Sequence, residues 1–98
     1  MPTYIVLAQF TDQGLRNMRE FPQRAQENMQ RAQGAGITVR GAYVTEGEFD
    51  QVLIFDAPDE EVGLSAILGL IGQGNVRTRT LRAHTTDEIG RALSRVPQ

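Results

Sequence analysis

Ninety-eight residues, 40% of them hydrophobic and 22% charged, suit a single globular domain spanning 1–98 with one modest core. The absence of cysteine excludes disulfides, thiolate nucleophiles and cysteine metal sites, and it fits a reduced, cytoplasmic setting. A net charge of −2 argues against a phosphate-held nucleic acid, and no apolar run approaches the roughly 20 residues of a membrane span.

Met1-Pro2-Thr3-Tyr4 lacks a basic region leading into an apolar run, so no secretory signal is expected. All 10 basic residues are arginine, which removes Schiff-base chemistry and an amine general base. Codon bias and anion recognition by guanidinium groups are the two readings of that choice.

Tyr4-Ile5-Val6-Leu7-Ala8 is an unbroken apolar run, continued by Gln9-Phe10, with the texture of a strand covered on both faces. Thr11 stands as an N-cap before Asp12-Gln13-Gly14. Leu15 and Met18 belong to a short helix that Pro22 interrupts, and Pro22 suits the first turn of a second segment. Ala25, Met29 and Ala32 form a stripe on that segment, which ends at Gly34-Ala35-Gly36.

A second strand is predicted from Ile37 to Thr45. Simple alternation puts Ile37, Val39, Gly41 and Tyr43 on one face and Thr38, Arg40, Ala42 and Val44 on the other. Glu46-Gly47-Glu48 reads as the turn of a β-hairpin, with glycine supplying positive φ. Phe49 and Asp50 then open the returning strand on opposite faces, and Gln51 to Phe55 continues it as an apolar run.

Asp56-Ala57-Pro58-Asp59-Glu60-Glu61 is a helix start: proline followed by acids at the positive end of the dipole. Leu64, Ile67, Leu68 and Ile71 form its expected core face, with Leu68 a core side chain. Gly63 and Gly69 each weaken this helix by about 1 kcal/mol relative to alanine, which predicts close backbone packing there. Gly72-Gln73-Gly74 stops it. Val76 to His84 alternates as a fourth strand, and Thr85 with Glu88 forms a capping box for a last helix carrying Ile89, Ala92, Leu93 and Val96.

The order β-α-β-β-α-β plus a terminal helix predicts an α+β, ferredoxin-like fold. Strands one and three should lie at the centre of a four-stranded antiparallel sheet, with the helices on one face. Yet both faces of strand one are apolar. A second copy of the chain is the expected cover, so the sequence predicts a homo-oligomer, most simply a dimer with sheets face to face.

The opening Met1-Pro2-Thr3-Tyr4-Ile5-Val6-Leu7, the Phe10-Thr11-Asp12-Gln13-Gly14 helix start, the hairpin, and Gly74-Asn75-Val76-Arg77-Thr78-Arg79-Thr80-Leu81-Arg82-Ala83 resemble the GYD domain family over nearly the whole chain. The family's Gly-x-Tyr-Asp motif reads Gly47-Glu48-Phe49-Asp50 here. Phe49 removes the tyrosine hydroxyl and keeps the ring. The family is similar to dimeric α/β-barrel proteins, among them cofactor-free monooxygenases, haem-degrading enzymes and ligand-sensing domains. The resemblance therefore implies the fold and the dimer more than any one activity.

Tyr43, Asp50, Arg79 and His84 are the candidates for ligand contact. Tyr43 and Asp50 lie near the turn; Asp50 can bind an amine or act as a base, or it can hydrogen-bond backbone N–H groups and fix the turn. Arg77 and Arg79 share a face and can clamp a carboxylate or phosphate, or serve as a solvated edge. His84, the single histidine, can act as a base or haem ligand, or simply end a strand at the surface. No metal-ligand spacing, catalytic triad, P-loop or dinucleotide fingerprint is present, and neither a metal nor a cofactor is expected.

The first functional expectation is a homo-oligomer that binds a small apolar or amphipathic ligand, or acts as an interaction module, without turnover. The second is a cofactor-independent monooxygenase or isomerase using Tyr43, Asp50 and His84, which requires those side chains to converge. A structural subunit of a larger assembly is the third.

Overall fold

The computed structural model describes residues 1–98. Strand β1 (Thr3–Phe10) leads into α1 (Asp12–Arg16), a 3-10 turn (Met18–Glu20) and α2 (Phe21–Gly34). Strands β2 (Thr38–Val44) and β3 (Gln51–Asp56) follow, then α3 (Glu60–Gly72), β4 (Val76–Ala83) and α4 (Thr86–Leu93). The sheet is antiparallel throughout, in the order β2-β3-β1-β4. This is the ferredoxin-like arrangement, with the two most apolar strands at the centre.

Local chemistry starts and stops the helices. The Thr11 hydroxyl accepts the Gly14 N–H at the start of α1, and the Asp59 carboxylate accepts the Val62 N–H at the start of α3. Thr85 and Glu88 complete a capping box on α4. Pro22 sits in the first turn of α2, where its missing N–H costs nothing.

The core lies between the sheet and the helices and is built on Tyr4, Val6, Ile37, Phe55, Ala57 and Ile67. The rings of Tyr4 and Phe55 stack with centroids 5.3 Å apart. Tyr4 also presses on α3 at Gly63, where a Cβ would overlap the ring. Gly69 faces open space, so the close packing expected at both glycines exists only at Gly63.

That contact sets the rotation of α3. Seated on Tyr4 through Gly63, the helix turns Val62, Ala66, Ile67 and Leu70 toward the core. Of the expected core face only Ile67 is buried. Leu64, Leu68 and Ile71 are exposed, Leu68 by 58%, and form an apolar stripe on the outer side.

The faces of β2 also differ from simple alternation. Val39 pairs with Phe55 and Gly41 with Ile54, leaving Arg40 as an extra residue in a β-bulge. The bulge shifts the phase by one. Ala42 and Val44 join Val39 on the helix side, opposite Leu53 and Gln51, while Tyr43 moves to the open side opposite Val52. The returning strand begins at Gln51, so Phe49 and Asp50 belong to the turn.

On β1, Tyr4, Val6 and Ala8 are buried, whereas Ile5 and Leu7 on the other face are only half-buried. Within one chain the sheet is therefore covered on one side. Just 13 of the 98 residues are buried, and the radius of gyration is 15.2 Å, above the roughly 13 Å of a compact domain this size. Part of that extension comes from α4, whose Ile89 and Leu93 are exposed.

Candidate functional site

The register lays the open face out in rows. Tyr43 pairs with Val52, Val52 with Leu7, and Leu7 with Arg79, so these four form one line across all strands. The next row runs Gly41, Ile54, Ile5, Leu81. Together the rows give a central aliphatic patch, bounded by Tyr43 on one edge strand and by arginines on the other. Tyr43 is 60% exposed and Leu81 is 49% exposed. The Tyr43 ring lies over Gly41, where a Cβ would stand 2.9 Å from it, so the missing side chain makes room for the ring.

Arg77 and Arg79 flank Leu7, Gln9, Phe49 and Thr78 around a hollow of about 300 Å³. The chain's ion pairs are Arg40–Asp56, Arg82–Glu60 and His84–Glu88, so neither Arg77 nor Arg79 has a carboxylate partner within the chain. At the other end of the sheet, Asp56 accepts from the Thr3 hydroxyl and from the Arg40 guanidinium. The Thr3 hydrogen bond, with Arg40 adding to it against the effect of burial, holds the Asp56 carboxyl below its ordinary range.

The Gly47-Glu48-Phe49-Asp50 segment is a clip between the hairpin and β1. Gly47 takes φ 110°, which favours glycine. The Thr45 N–H donates to the Asp50 carbonyl at 2.8 Å, and the Thr45 hydroxyl donates to the Phe49 carbonyl. Outward from the turn, the Asp50 N–H donates to the Ala8 carbonyl at 2.9 Å, and the Asp50 carboxylate accepts the Phe10 N–H at 2.8 Å. Gln9 adds a bond from its amide to the Glu48 carbonyl, also at 2.8 Å. Phe49 contributes its ring to the wall of the arginine hollow.

Tyr43 and Arg79 thus share a row on the open face, but three strand spacings, roughly 14 Å, separate them. Asp50 is engaged with the last residue of β1. His84 follows Ala83, which pairs with Thr3 at the opposite end of that strand, and its ring contacts Glu88 at 3.4 Å. The eight residues from Thr3 to Phe10 span roughly 23 Å, so Tyr43, Asp50 and His84 do not converge within one chain. The Thr85 backbone N–H, with His84 beside it, holds the partly exposed Glu88 carboxyl below its ordinary range.

Sequence reasoning missed the Thr3–Asp56–Arg40 group, because the bulge that carries Arg40 leaves no mark in a pattern of alternation. Nor did it assign polar residues to the cleft of about 1080 Å³ on the helix side, between α2, α3 and the sheet. The hint available was Gln51, a polar residue opening an apolar strand.

A protein of Thermus thermophilus, named glutamine synthetase and cystathionine beta-lyase binding protein, is 36% identical over 84 residues, covering 85% of this chain and 88% of that protein. No solved structure matches the chain. The GYD domain model matches residues 4–93, from the first core tyrosine to the end of α4. The chain belongs to the GYD domain family.

Proposed function

We propose that the protein is a cytoplasmic homo-oligomer that binds other proteins, enzymes among them, and performs no turnover itself. The observation that carries this reading is the open sheet face: a patch of Ile5, Leu7, Val52, Ile54 and Leu81 with only one side of the sheet covered by helices. A second copy laid on that patch removes it from water and sets Tyr43 and the unpaired Arg77 and Arg79 at the rim of the contact.

The outer surfaces of such a dimer then face partners. The Leu64, Leu68 and Ile71 stripe of α3 and the exposed Ile89 and Leu93 of α4 are apolar strips on helices, the form in which one protein commonly engages another. The partner enzymes in the name of the Thermus thermophilus relative support enzymes of amino-acid metabolism as the class of partner. Residues Tyr43, Asp50, Arg79 and His84 serve this reading as rim, turn and surface groups rather than as a catalytic set.

The test is binding of the purified protein to purified glutamine synthetase and cystathionine β-lyase, followed by size-exclusion chromatography and biolayer interferometry. Co-elution with at least one enzyme, weakened by Leu68→Asp on the outer face of α3, is expected. Failure to bind either enzyme, or binding that Leu68→Asp and an α4 Leu93→Asp variant both leave unchanged, would contradict the proposal.

A further inference from the structure

The helix side of the sheet holds a feature that protein docking does not use. Helices α2 and α3 stand apart over β2 and β3, leaving the cleft of about 1080 Å³, a size suited to a small organic molecule. Its walls are largely apolar, with Phe21, Met29, Leu53, Phe55 and Leu70 among them. One end is different. Asn28, Gln51, Gln73 and Asn75 all line the cleft, four carboxamides.

The register sets two of them toward the same end of β1. Gln51 pairs with Ala8, and Val76, directly after Asn75, pairs with Phe10, so both lie at the same end of β1. Asn28 and Gln73 bond to each other across the helices, with the Gln73 amide donating to the Asn28 oxygen at 2.8 Å. The Asn75 oxygen accepts from the Gln13 amide at 3.2 Å.

Gln51 is the exception. It is only 9% exposed, yet its carboxamide takes part in none of the side-chain hydrogen bonds that satisfy its three neighbours. No polar side-chain atom sealed from solvent is left unpaired anywhere in the chain. The Gln51 amide therefore opens into the cleft. A free donor and acceptor held ready on the wall of an apolar cavity is the arrangement that orients a ligand.

From this geometry we infer that the cleft is a binding site for an uncharged amphipathic small molecule, an apolar body ending in a carboxamide, whose head pairs with Gln51. A carboxamide matches because it offers one donor and one acceptor side by side, the complement of the Gln51 side chain. Charged alternatives are less well served. The Arg24 and Arg31 side chains at the rim are turned to the Asn17 carbonyl and the Asn28 oxygen, and the acids Asp59 and Glu61 line the cleft as well. The site lies on the opposite face of the sheet from the proposed subunit contact, so the two proposals stand or fall separately.

The probe is octanamide, titrated into isotope-labelled protein and followed by NMR, with octanoate as the charged comparison. Saturable shifts of the Gln51 side-chain NH₂ and of the Leu53 and Leu70 methyls are expected, with octanoate binding more weakly. Gln51→Leu and the near-isosteric Gln51→Met should each weaken octanamide roughly tenfold, the effect of losing the paired head group. Both variants should melt at or above the wild-type temperature, because they replace an unpaired amide with apolar volume. A purely structural glutamine would instead lose stability. The proposal is overturned by no saturable shift up to the solubility limit, by shifts confined to the open sheet face, by octanoate binding at least as tightly, or by Gln51 variants that bind like wild type. A lowered melting temperature in both variants also overturns it.

Discussion

The Asp50 carboxylate accepts the backbone N–H of Phe10 at 2.8 Å, tying the hairpin turn to the end of the central strand. Removing the acceptor leaves that N–H without its partner, which costs about 1–3 kcal/mol when the group is shielded. Asp50→Ala should therefore lower stability by that amount in urea denaturation. An unchanged midpoint would show that the clip does not hold the turn.

Glycine substitutions on α3 should go in opposite directions. At Gly63 a Cβ would overlap the Tyr4 ring, so Gly63→Ala forces the stack apart and costs about 1–3 kcal/mol net of its gain in helix propensity. At Gly69 nothing lies within 4 Å, and Gly69→Ala should stabilise by up to about 1 kcal/mol. Thermal unfolding of the pair distinguishes them, and equal shifts would mean that α3 is not seated on Tyr4.

Asp56 makes the fold acid-sensitive. Its folded pKa is lowered, chiefly by the Thr3 hydroxyl and then by Arg40. A lowered folded pKa stabilises the native state above the unfolded value of about 3.9, and that contribution is lost as pH falls through the folded value. Wild-type stability should drop between about pH 5 and about pH 2, and Asp56→Asn should show a shallower drop over the same range. Identical acid slopes for the two proteins would remove Asp56 from the account.

The fold was legible because three kinds of signal agreed: the continuous runs of β1 and β3, the helix starts at Thr11, at Pro58 with the acids after it and at Thr85, and the glycine at position 47. What stayed hidden depends on contacts between distant residues. The rotation of α3 follows from one ring, Tyr4, meeting one glycine, Gly63, and the helix itself is apolar on too many sides to announce which faces inward. Leu68 therefore reads as core and stands 58% exposed. Its truncation, Leu68→Ala, should cost less than about 1 kcal/mol within the isolated chain rather than the 2–5 kcal/mol of a core leucine.

The candidate site was partly legible. Arg77, Arg79 and Leu81 do share the open face, because β4 has no bulge and the period of two holds. Tyr43 reaches that face only through the extra residue at Arg40, whereas alternation had grouped it with the buried Ile37 and the partly buried Val39. His84 lies at the far end of the sheet from Asp50 and from Tyr43's row, which no spacing along the chain could show.

Native mass spectrometry of the wild-type protein beside Leu81→Asp tests the central claim most directly. Leu81 is half exposed within the chain, so aspartate there should leave the fold intact while placing a charge inside the buried sheet contact. The account predicts a dimer, or an assembly of dimers, for the wild type and a folded monomer for the variant. A wild-type monomer, or an assembly that Leu81→Asp leaves unchanged, would contradict it.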